Sequence, residues 1–300
     1  MPEFPDVELY RERMQALMVG QPLEAVRLGS PFLVRSVDPP LSAVAGREVR
    51  QVRRLGKQLI IGLQGDLWLV IHLMIAGRLR MKKRGASHRG RDVQAVFDLP
   101  SASLVFTEAS KKKRAKLHVV GSEAGLADFD QGGLELFPPD RDAFAERLRS
   151  RKHTLKRSLT DPRLLSGIGN AYSDEILFAA KLSPVRMSTA LDDDEVTRLH
   201  TAVIEVLTDY TDRMRAEIGQ GFPDKVTAFR DDFHVHGRFK KPCRVCGDPV
   251  QRIVRGDHET NYCATCQNGG RLLADRALSR LLKSDWPKTL EELEERKREG

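Results

Sequence analysis

Cysteine is scarce in this chain of 300 residues: there are four, and all of them lie between residues 243 and 266. A disulfide framework would need cysteines spread over the chain, so this clustering favours metal ligation in a reducing compartment. The chain also has no run of about 18 uncharged apolar residues and no apolar N-terminal segment of the signal-peptide type. We therefore expect an intracellular protein without a membrane-spanning segment.

Acidic residues are outnumbered by basic ones, 42 against 50, which gives a formal net charge of +8 and an isoelectric point near 9.4. This balance suits a polyanionic partner, although many basic proteins bind no nucleic acid and the charge alone does not decide the matter. With 40% hydrophobic residues, the chain can bury a core, and its length favours two domains.

Hydrophobic periodicity divides the chain. Residues 5–19 carry Val7, Tyr10, Met14 and Leu17 at helical spacing, whereas residues 23–120 consist of short apolar runs separated by Gly, Pro and Ser. The second pattern predicts an antiparallel sandwich or barrel, and helical spacing returns over 141–216. We predict a boundary near residue 130 and four parts: 1–130, the helical 131–240, the cysteine-bearing 241–270, and a C-terminal extension, 271–300.

The cysteines form two Cys-x-x-Cys pairs, Cys243 with Cys246 and Cys263 with Cys266. Each pair can present two thiolates to one tetrahedral zinc ion, and four protein ligands leave no open position for catalysis. A redox dithiol or an iron–sulfur site is the weaker alternative. We therefore predict one structural zinc ion that holds a β-hairpin, whose tip carries Arg255 and His258.

A Gly-Ile-Gly-Asn turn ending at Asn170 precedes a predicted helix that contains Tyr172. Backbone amides at a helix N-terminus can bind a phosphate oxygen, and Asn170 can add a side-chain donor. The same turn can also serve tight helix packing alone. Basic residues before it, including Arg151 and Lys156, favour a nucleic-acid backbone.

The N-terminus reads Met1-Pro2-Glu3. Loss of Met1 would leave Pro2 with a free secondary amine, and an α-amino group titrates about 2 to 3 units below a lysine. Such an amine beside the acid Glu3 can attack an aldehyde-like carbon, although a stiff, protease-resistant terminus is the ordinary role of proline there. Two further candidates are Lys57, at the start of an apolar strand, and Met74, either a core residue or an apolar wedge for a base stack.

Together these residues resemble the Fpg/Nei family of bifunctional DNA glycosylases, whose N-terminus reads Met-Pro-Glu-Leu-Pro-Glu-Val-Glu. The similarity covers about residues 1–270 and rests on the start, the Gly-Lys-Gln-Leu segment, the Gly-Ile-Gly-Asn turn and the four cysteines, in this order. It implies an α+β fold: an N-terminal helix and a two-layer antiparallel β-sandwich, then a helix-two-turns-helix domain and a zinc finger. A monomer that binds damaged duplex DNA between its domains is expected.

The resemblance also implies residue roles. Pro2 would form a Schiff base with the sugar C1′, Glu3 would transfer protons, and Lys57 would contact phosphate near the lesion. Asn170 and Tyr172 match the phosphate-binding turn. The remaining expected DNA contacts are Met74, Arg151, Lys156, Arg255 and His258.

This chain departs from the family pattern at three places. Residues 107–114 contain four consecutive basic residues and no aromatic, where the family carries an arginine and a phenylalanine that read the opposite base. His258 stands where the family has arginine. The resemblance therefore does not decide whether strand cleavage stops at β-elimination or continues to δ-elimination. The connector over 217–238 is shorter than the family's lesion-capping loop, which speaks against recognition of 8-oxoguanine. The substrates that this leaves are oxidised pyrimidines, ring-opened purines, bulkier adducts and abasic sites.

Three functions follow as hypotheses. The favoured one is a DNA glycosylase and abasic-site lyase of base excision repair that uses no catalytic metal. The rival is a damage-sensing DNA-binding protein that lost efficient chemistry, but a pure binder would need neither Pro2 nor Glu3. An RNA-directed zinc-ribbon protein has only the basic charge in its favour.

Overall fold

The computed structural model describes residues 1–224, 226, 230–256, 258–274 and 287–299. The chain divides into two compact units. The first comprises Met1–Gly133 and Thr208–Ala228, and the second Leu134–Leu207 and Phe229–Gly300. The finer boundaries expected at residues 130, 240 and 270 stay predictions, and residues 275–286 of the expected C-terminal extension lie outside the described residues.

The first unit begins with the predicted helix, α1, which spans Phe4–Met18. Its buried face carries Val7, Tyr10 and Met14, all fully inaccessible to solvent. Glu3 and Asp6 form a capping box at its N-terminus, in which the Asp6 carboxylate accepts the backbone N–H of Glu3 at 2.8 Å. The first residues of the chain are therefore fixed in place by the start of this helix.

Two antiparallel sheets follow, as the short apolar runs predicted. The five-stranded sheet has the order β1 (Pro22–Leu23), β3 (Arg47–Leu55), β4 (Gln58–Leu63), β5 (Leu67–His72) and β9 (Lys116–Val120). The four-stranded sheet has the order β2 (Ala25–Leu28), β7 (Val93–Asp98), β8 (Ser103–Glu108) and β6 (Gly77–Lys82).

The core of the first unit lies between the two sheets and α1. Ile61 and Leu69 from one sheet join Phe97 and Phe106 from the other in one buried cluster, to which α1 adds its apolar face. Gly62 lies opposite Trp68 in the sheet, and a Cβ atom at Gly62 would come within 2.7 Å of the indole ring. The predicted two-layer sandwich is confirmed.

The second unit contains the predicted helices and the hairpin. Its helices are α2 (Arg141–Arg149), α3 (Leu155–Thr160), α4 (Asn170–Ala179), α5 (Asp193–Ile218) and α6 (Ala264–Asn268), and a further helix spans Leu290–Glu299. The hairpin pairs β10 (Gln251–Arg255) with β11 (His258–Tyr262). The C-terminal part of α5 belongs to the first unit, where Arg215 forms a two-pronged ion pair with Glu12 of α1. No described helix is long and apolar enough to cross a membrane.

Truncation of Leu69 tests the sandwich core. Leu69 is fully buried on β5, so Leu69→Ala should lower the free energy of unfolding by about 2 to 5 kcal/mol. Val37, which is 91% exposed, supplies the control, since Val37→Ala should change stability by less than about 0.5 kcal/mol. Urea unfolding followed by circular dichroism measures both, and equal losses would place Leu69 outside the core.

Candidate functional site

The first candidate site is an N-terminal cluster formed by Pro2, Glu3, Asp6, Lys57 and Arg78. Pro2 is buried, and Glu3 and Asp6 are each 3% exposed. Arg78 donates to the backbone carbonyl of Val226 at 2.6 Å and to those of Ile75 and Gly77. The predicted nucleophile Pro2, two carboxyl groups and two cations thus lie together in the first unit.

Burial dominates the titration of this cluster. It lowers the pKa of the α-amino group of Met1, while the charges of Glu3 and Asp6 work in the opposite direction. Burial likewise lowers the pKa of Lys57, although the charge of the Glu3 carboxylate acts in the opposite direction. Burial also raises the pKa of Asp6 to about 7, although the N–H of Glu3 favours the charged form. Burial therefore disfavours the charged form of an amine at this place.

Lys57 lies where the sequence predicted, directly before the buried strand β4. Gly56, at φ 58°, and Lys57 form the tight turn between β3 and β4. Residues 58–63 after the turn are all buried, so the sheet fixes the base of the Lys57 side chain. Glycine is needed in this turn because a positive φ strains other residues.

His72 is a candidate that sequence reasoning missed. It ends β5 between Gln58 and Lys116 in the sheet register, and its Nδ1 accepts the backbone N–H of Met74 at 3.1 Å. Burial, with the charges of Lys116 and Lys57, lowers the pKa of His72 to about 4. The ring is therefore neutral at pH 7 and carries its proton on Nε2. A histidine ending an apolar strand is the only sequence signal, and it is a weak one.

Met74 and Ile75 differ in exposure. Met74 is half-buried at φ 53°, whereas the neighbouring Ile75 is 58% exposed. Ile75 is therefore the apolar side chain that this turn presents to solvent, a distinction that composition and spacing do not reveal.

The second unit contains the predicted turn at the start of α4. Gly167 has φ 88° and Gly169 caps the helix, which begins at Asn170 as expected. The Asn170 amide donates to the backbone carbonyl of Glu259 on β11 at 2.9 Å. Tyr172 is 2% exposed, with its ring edge-on to Phe233 at 5.5 Å between centroids.

Lys156 is anchored next to this turn. Its Nζ lies 2.5 Å from a carboxylate oxygen of Asp174 and donates to the carbonyl of Asn170 at 2.7 Å. Asp174 is fully buried as a side chain, and its other oxygen meets His236 Nδ1 at 2.8 Å and accepts the N–H of Asn261 at 3.1 Å. Asp174 therefore connects α3, α4, the segment around His236 and β11.

Glu175 makes a parallel connection. Its carboxylate accepts the backbone N–H groups of His234, Val235 and His236 at 2.7 to 2.9 Å. Burial works to raise the pKa of Glu175, but these hydrogen bonds and that of the His234 ring lower it overall. Two adjacent buried carboxylates, Asp174 and Glu175, thus hold residues 234–236 against the first turns of α4.

The remaining predicted DNA contacts lie on the surface of the second unit or outside what is described. Arg151 and Arg255 are exposed. His258 pairs with Arg255 at the end of the hairpin, and its side chain lies outside the described atoms. Arg252, by contrast, lies 4.2 Å above the Phe239 ring and 3.1 Å from Glu259.

The four cysteines converge as predicted. Their Sγ atoms all lie within 4.8 Å of one another, with Cys243 and Cys266 at 3.9 Å and Cys246 and Cys263 at 3.4 Å. Tetrahedral zinc–thiolate bonds of about 2.3 Å would separate the sulfur atoms by about 3.8 Å. The donor set and its spacing therefore fit one structural zinc ion.

Comparisons with known proteins agree with this geometry. The formamidopyrimidine-DNA glycosylase N-terminal domain matches residues 1–115, the H2TH domain of the same enzymes matches 137–217, and the zinc finger found in FPG and IleRS matches 240–269. The formamidopyrimidine-DNA glycosylase of Heliobacterium modesticaldum is 34% identical over 283 residues, which cover 89% of this chain and 100% of that protein. That of Thermus thermophilus is 33% identical over 280 residues, with 90% and 100% covered.

A solved structure shows the same fold. The Lactococcus lactis enzyme in complex with DNA containing N7-benzyl-Fapy-dG superposes with a TM-score of 0.79 at 25% identity, covering 89% of this chain and 100% of that one. These matches define the class, the DNA glycosylases. The chain belongs to the formamidopyrimidine-DNA glycosylase family, as its sequence motifs predicted.

The buried Asp6 predicts a pH-dependent stability. Its pKa is about 7 in the folded protein against 3.8 for an exposed aspartate, so the folded state holds a proton that the unfolded state releases. The stabilisation that protonated Asp6 gives the folded state is fully present below pH 3.8 and is lost as the pH rises to about 7. The free energy of unfolding should fall by on the order of 4 kcal/mol over this range.

Asp6→Asn keeps an acceptor for the Glu3 N–H and removes this titration. The stability of Asp6→Asn relative to the unsubstituted protein should therefore increase between pH 4 and 7, measured by urea unfolding at each pH. A difference that is constant with pH would contradict the assignment.

Proposed function

We propose that Pro2, once Met1 has been removed, is the nucleophile of this family member and that Glu3 is its acid/base partner. The observation that carries the proposal is the burial of both residues in the N-terminal cluster, where desolvation lowers the pKa of the neighbouring Met1 α-amino group. An unprotonated secondary amine next to a carboxyl group is what iminium formation requires.

The reaction class follows from the family: a DNA glycosylase with abasic-site lyase activity, acting in base excision repair. The amine of Pro2 attacks C1′, the bond from C1′ to the base breaks, and the base leaves with a proton. Ring opening, with a proton delivered to O4′ by Glu3, gives the iminium. The Glu3 carboxylate then takes a proton from C2′, the C3′–O bond breaks with departure of the 3′-phosphate, and water hydrolyses the iminium to release Pro2.

Neighbouring groups of the first unit suit a phosphate next to the reacting sugar. Lys57 offers a cation whose side chain is half-buried at the head of β4, and His72 offers a neutral Nε2–H donor. Hydrogen bonds to phosphate position the substrate without reading its sequence. We assign both residues to the strand that carries the lesion.

The start of α4 supplies a second phosphate site. Asn170 and the N-terminal amides of the helix would face the phosphate, because a helix N-terminus favours an anion. Lys156 acts by holding the turn, since its ammonium is bound to Asp174 and to the Asn170 carbonyl. Tyr172 is buried against Phe233 and contributes by packing, whereas Arg151, Arg255 and His258 would contact the backbone.

The substrate we favour is a ring-opened purine in duplex DNA, because the curated relatives are named formamidopyrimidine-DNA glycosylases. A damaged base must leave the stack before Pro2 can reach C1′, and weakened pairing lowers that cost by a few kcal/mol. We place the protein with DNA inside the cell.

Borohydride trapping tests the mechanism. With purified protein lacking Met1 and a duplex carrying one abasic site, reduction should link Pro2 to C1′, and mass spectrometry should place the adduct on the N-terminal peptide. An uncleaved extension before Pro2 should abolish the adduct. Glu3→Gln should slow trapping by about a hundredfold or more, because it removes acid/base transfer.

Pro2→Gly serves as a further control, since a primary amine at the same place should trap more slowly. Tight binding without an adduct or strand cleavage would support the damage-sensing function instead. A panel with formamidopyrimidine, oxidised pyrimidine and 8-oxoguanine lesions then tests the substrate, and preference for the last would contradict our choice.

The exposed Ile75 gives a separate prediction for base extrusion. Ile75→Ala should lower excision of a paired lesion about tenfold, because an apolar wedge compensates the unstacking, and should hardly affect cleavage at a preformed abasic site. Met74→Gly is the matched control: glycine accepts φ 53° without strain, so excision should be retained. The reverse ranking of these two variants would restore Met74 as the wedge.

A further inference from the structure

The loop between β8 and β9 carries Lys111, Lys112, Lys113 and Arg114 in succession. Four adjacent cations repel one another and are commonly found on mobile, solvated segments. In this structure the loop is instead closed upon itself by hydrogen bonds. We call residues 108–115 the basic loop.

Glu108 closes the basic loop at its base. The side chain is 1% exposed, and its carboxylate accepts the backbone N–H of Arg114 at 2.9 Å and that of Ala115 at 3.2 Å. A buried carboxylate without donors would be costly, so these hydrogen bonds fix the return of the chain towards β9.

Lys113 closes the loop from inside. Its Nζ lies 3.1 Å from a carboxylate oxygen of Asp92 and donates to the backbone carbonyl of Glu108. The charge of Lys113 is therefore neutralised within the first unit, and only part of the basic sequence remains for a partner.

Lys111, Lys112 and Arg114 are the cations of the basic loop that do not take part in its closure. All three are exposed, and within the described part of the chain no hydrogen bond or ion pair engages their side chains. The loop and Ile75 line one cavity of about 210 Å³. An exposed apolar side chain that shares a cavity with unpaired cations combines the two features that a nucleic-acid backbone and an opened base stack require.

We propose that the basic loop is a preformed phosphate-binding surface for duplex DNA, on which Lys111, Lys112 and Arg114 contact the backbone beside Ile75. The proposal rests on the DNA-directed function given above. Because the hydrogen bonds that the Glu108 and Lys113 side chains make to the backbone already order the loop, binding costs less conformational entropy than it would for a mobile basic segment. Lysine ammonium groups are point charges without acceptors, so the contacts add affinity with little dependence on the opposite base.

The salt dependence of binding tests this surface. The double variant Lys111→Gln/Lys112→Gln removes two phosphate contacts, so the slope of log K against log salt should become shallower by about 1.8. At low salt, affinity for a duplex with an abasic-site analogue should fall about tenfold or more. The loss should be the same, within about threefold, for all four opposite bases.

Lys113→Gln is the matched control, with the same chemical change one residue further along the chain. Its charge is paired with Asp92, so the salt slope should stay at the unsubstituted value even if affinity falls. Glu108→Gln keeps the size of the side chain and weakens the closure, and hydrogen exchange at the Arg114 and Ala115 amides should become faster.

Two results would overturn the proposal. One is an unchanged salt slope for the double variant in a protein that still forms the Pro2 adduct, which would leave the proposed function standing. The other is a loss of affinity that differs strongly among the opposite bases, which would make the loop a reader of base identity. Failure of the unsubstituted protein to trap an abasic site would instead count against the proposed function.

Discussion

A carboxylate removed from water has to be met by hydrogen-bond donors, and the candidate functional segments of this protein depend on that constraint. Asp6 receives the N–H of Glu3, Glu108 receives those of Arg114 and Ala115, and Glu175 receives three from residues 234–236. In each case the donor is the backbone of an irregular segment. The buried acid therefore gives loops and the chain terminus a defined conformation that propensity alone would not give them.

The pKa values of these buried acids show how completely the hydrogen-bond donors compensate for the loss of water. Glu175 accepts several hydrogen bonds, and its pKa is lowered although the residue is buried. The pKa of Asp6 is lowered by one hydrogen bond, that from the N–H of Glu3, and burial raises it to about 7 overall. The number of donors thus decides whether a buried acid remains charged. At the N-terminus an incompletely compensated acid lies close to an amine whose own pKa is lowered by burial.

The sequence predicts the parts of the molecule that depend on periodicity or spacing. The apolar positions of α1, the short strands, the helix after the Gly-Ile-Gly-Asn turn and the four-cysteine cluster are all confirmed. Asp6, Glu108 and Asp174 could not be identified in this way, because their importance arises from burial and from hydrogen bonds to irregular segments, which periodicity and spacing do not show. The exposure of Ile75 was missed for a related reason: Ile75 follows a methionine with a positive φ, and neither feature is signalled by the residue types.

The same limit explains why charge patterns overstate a binding surface. Lys113 and Lys156 stand in basic stretches, yet the fold supplies Asp92 to one and Asp174 to the other. A cation paired in this way stabilises its own loop and has little charge left for a phosphate, whereas Lys111, Lys112 and Arg151 stay exposed. The DNA-binding potential of each basic stretch is therefore set by the acids that the fold places next to it, and counting lysines and arginines gives only an upper bound.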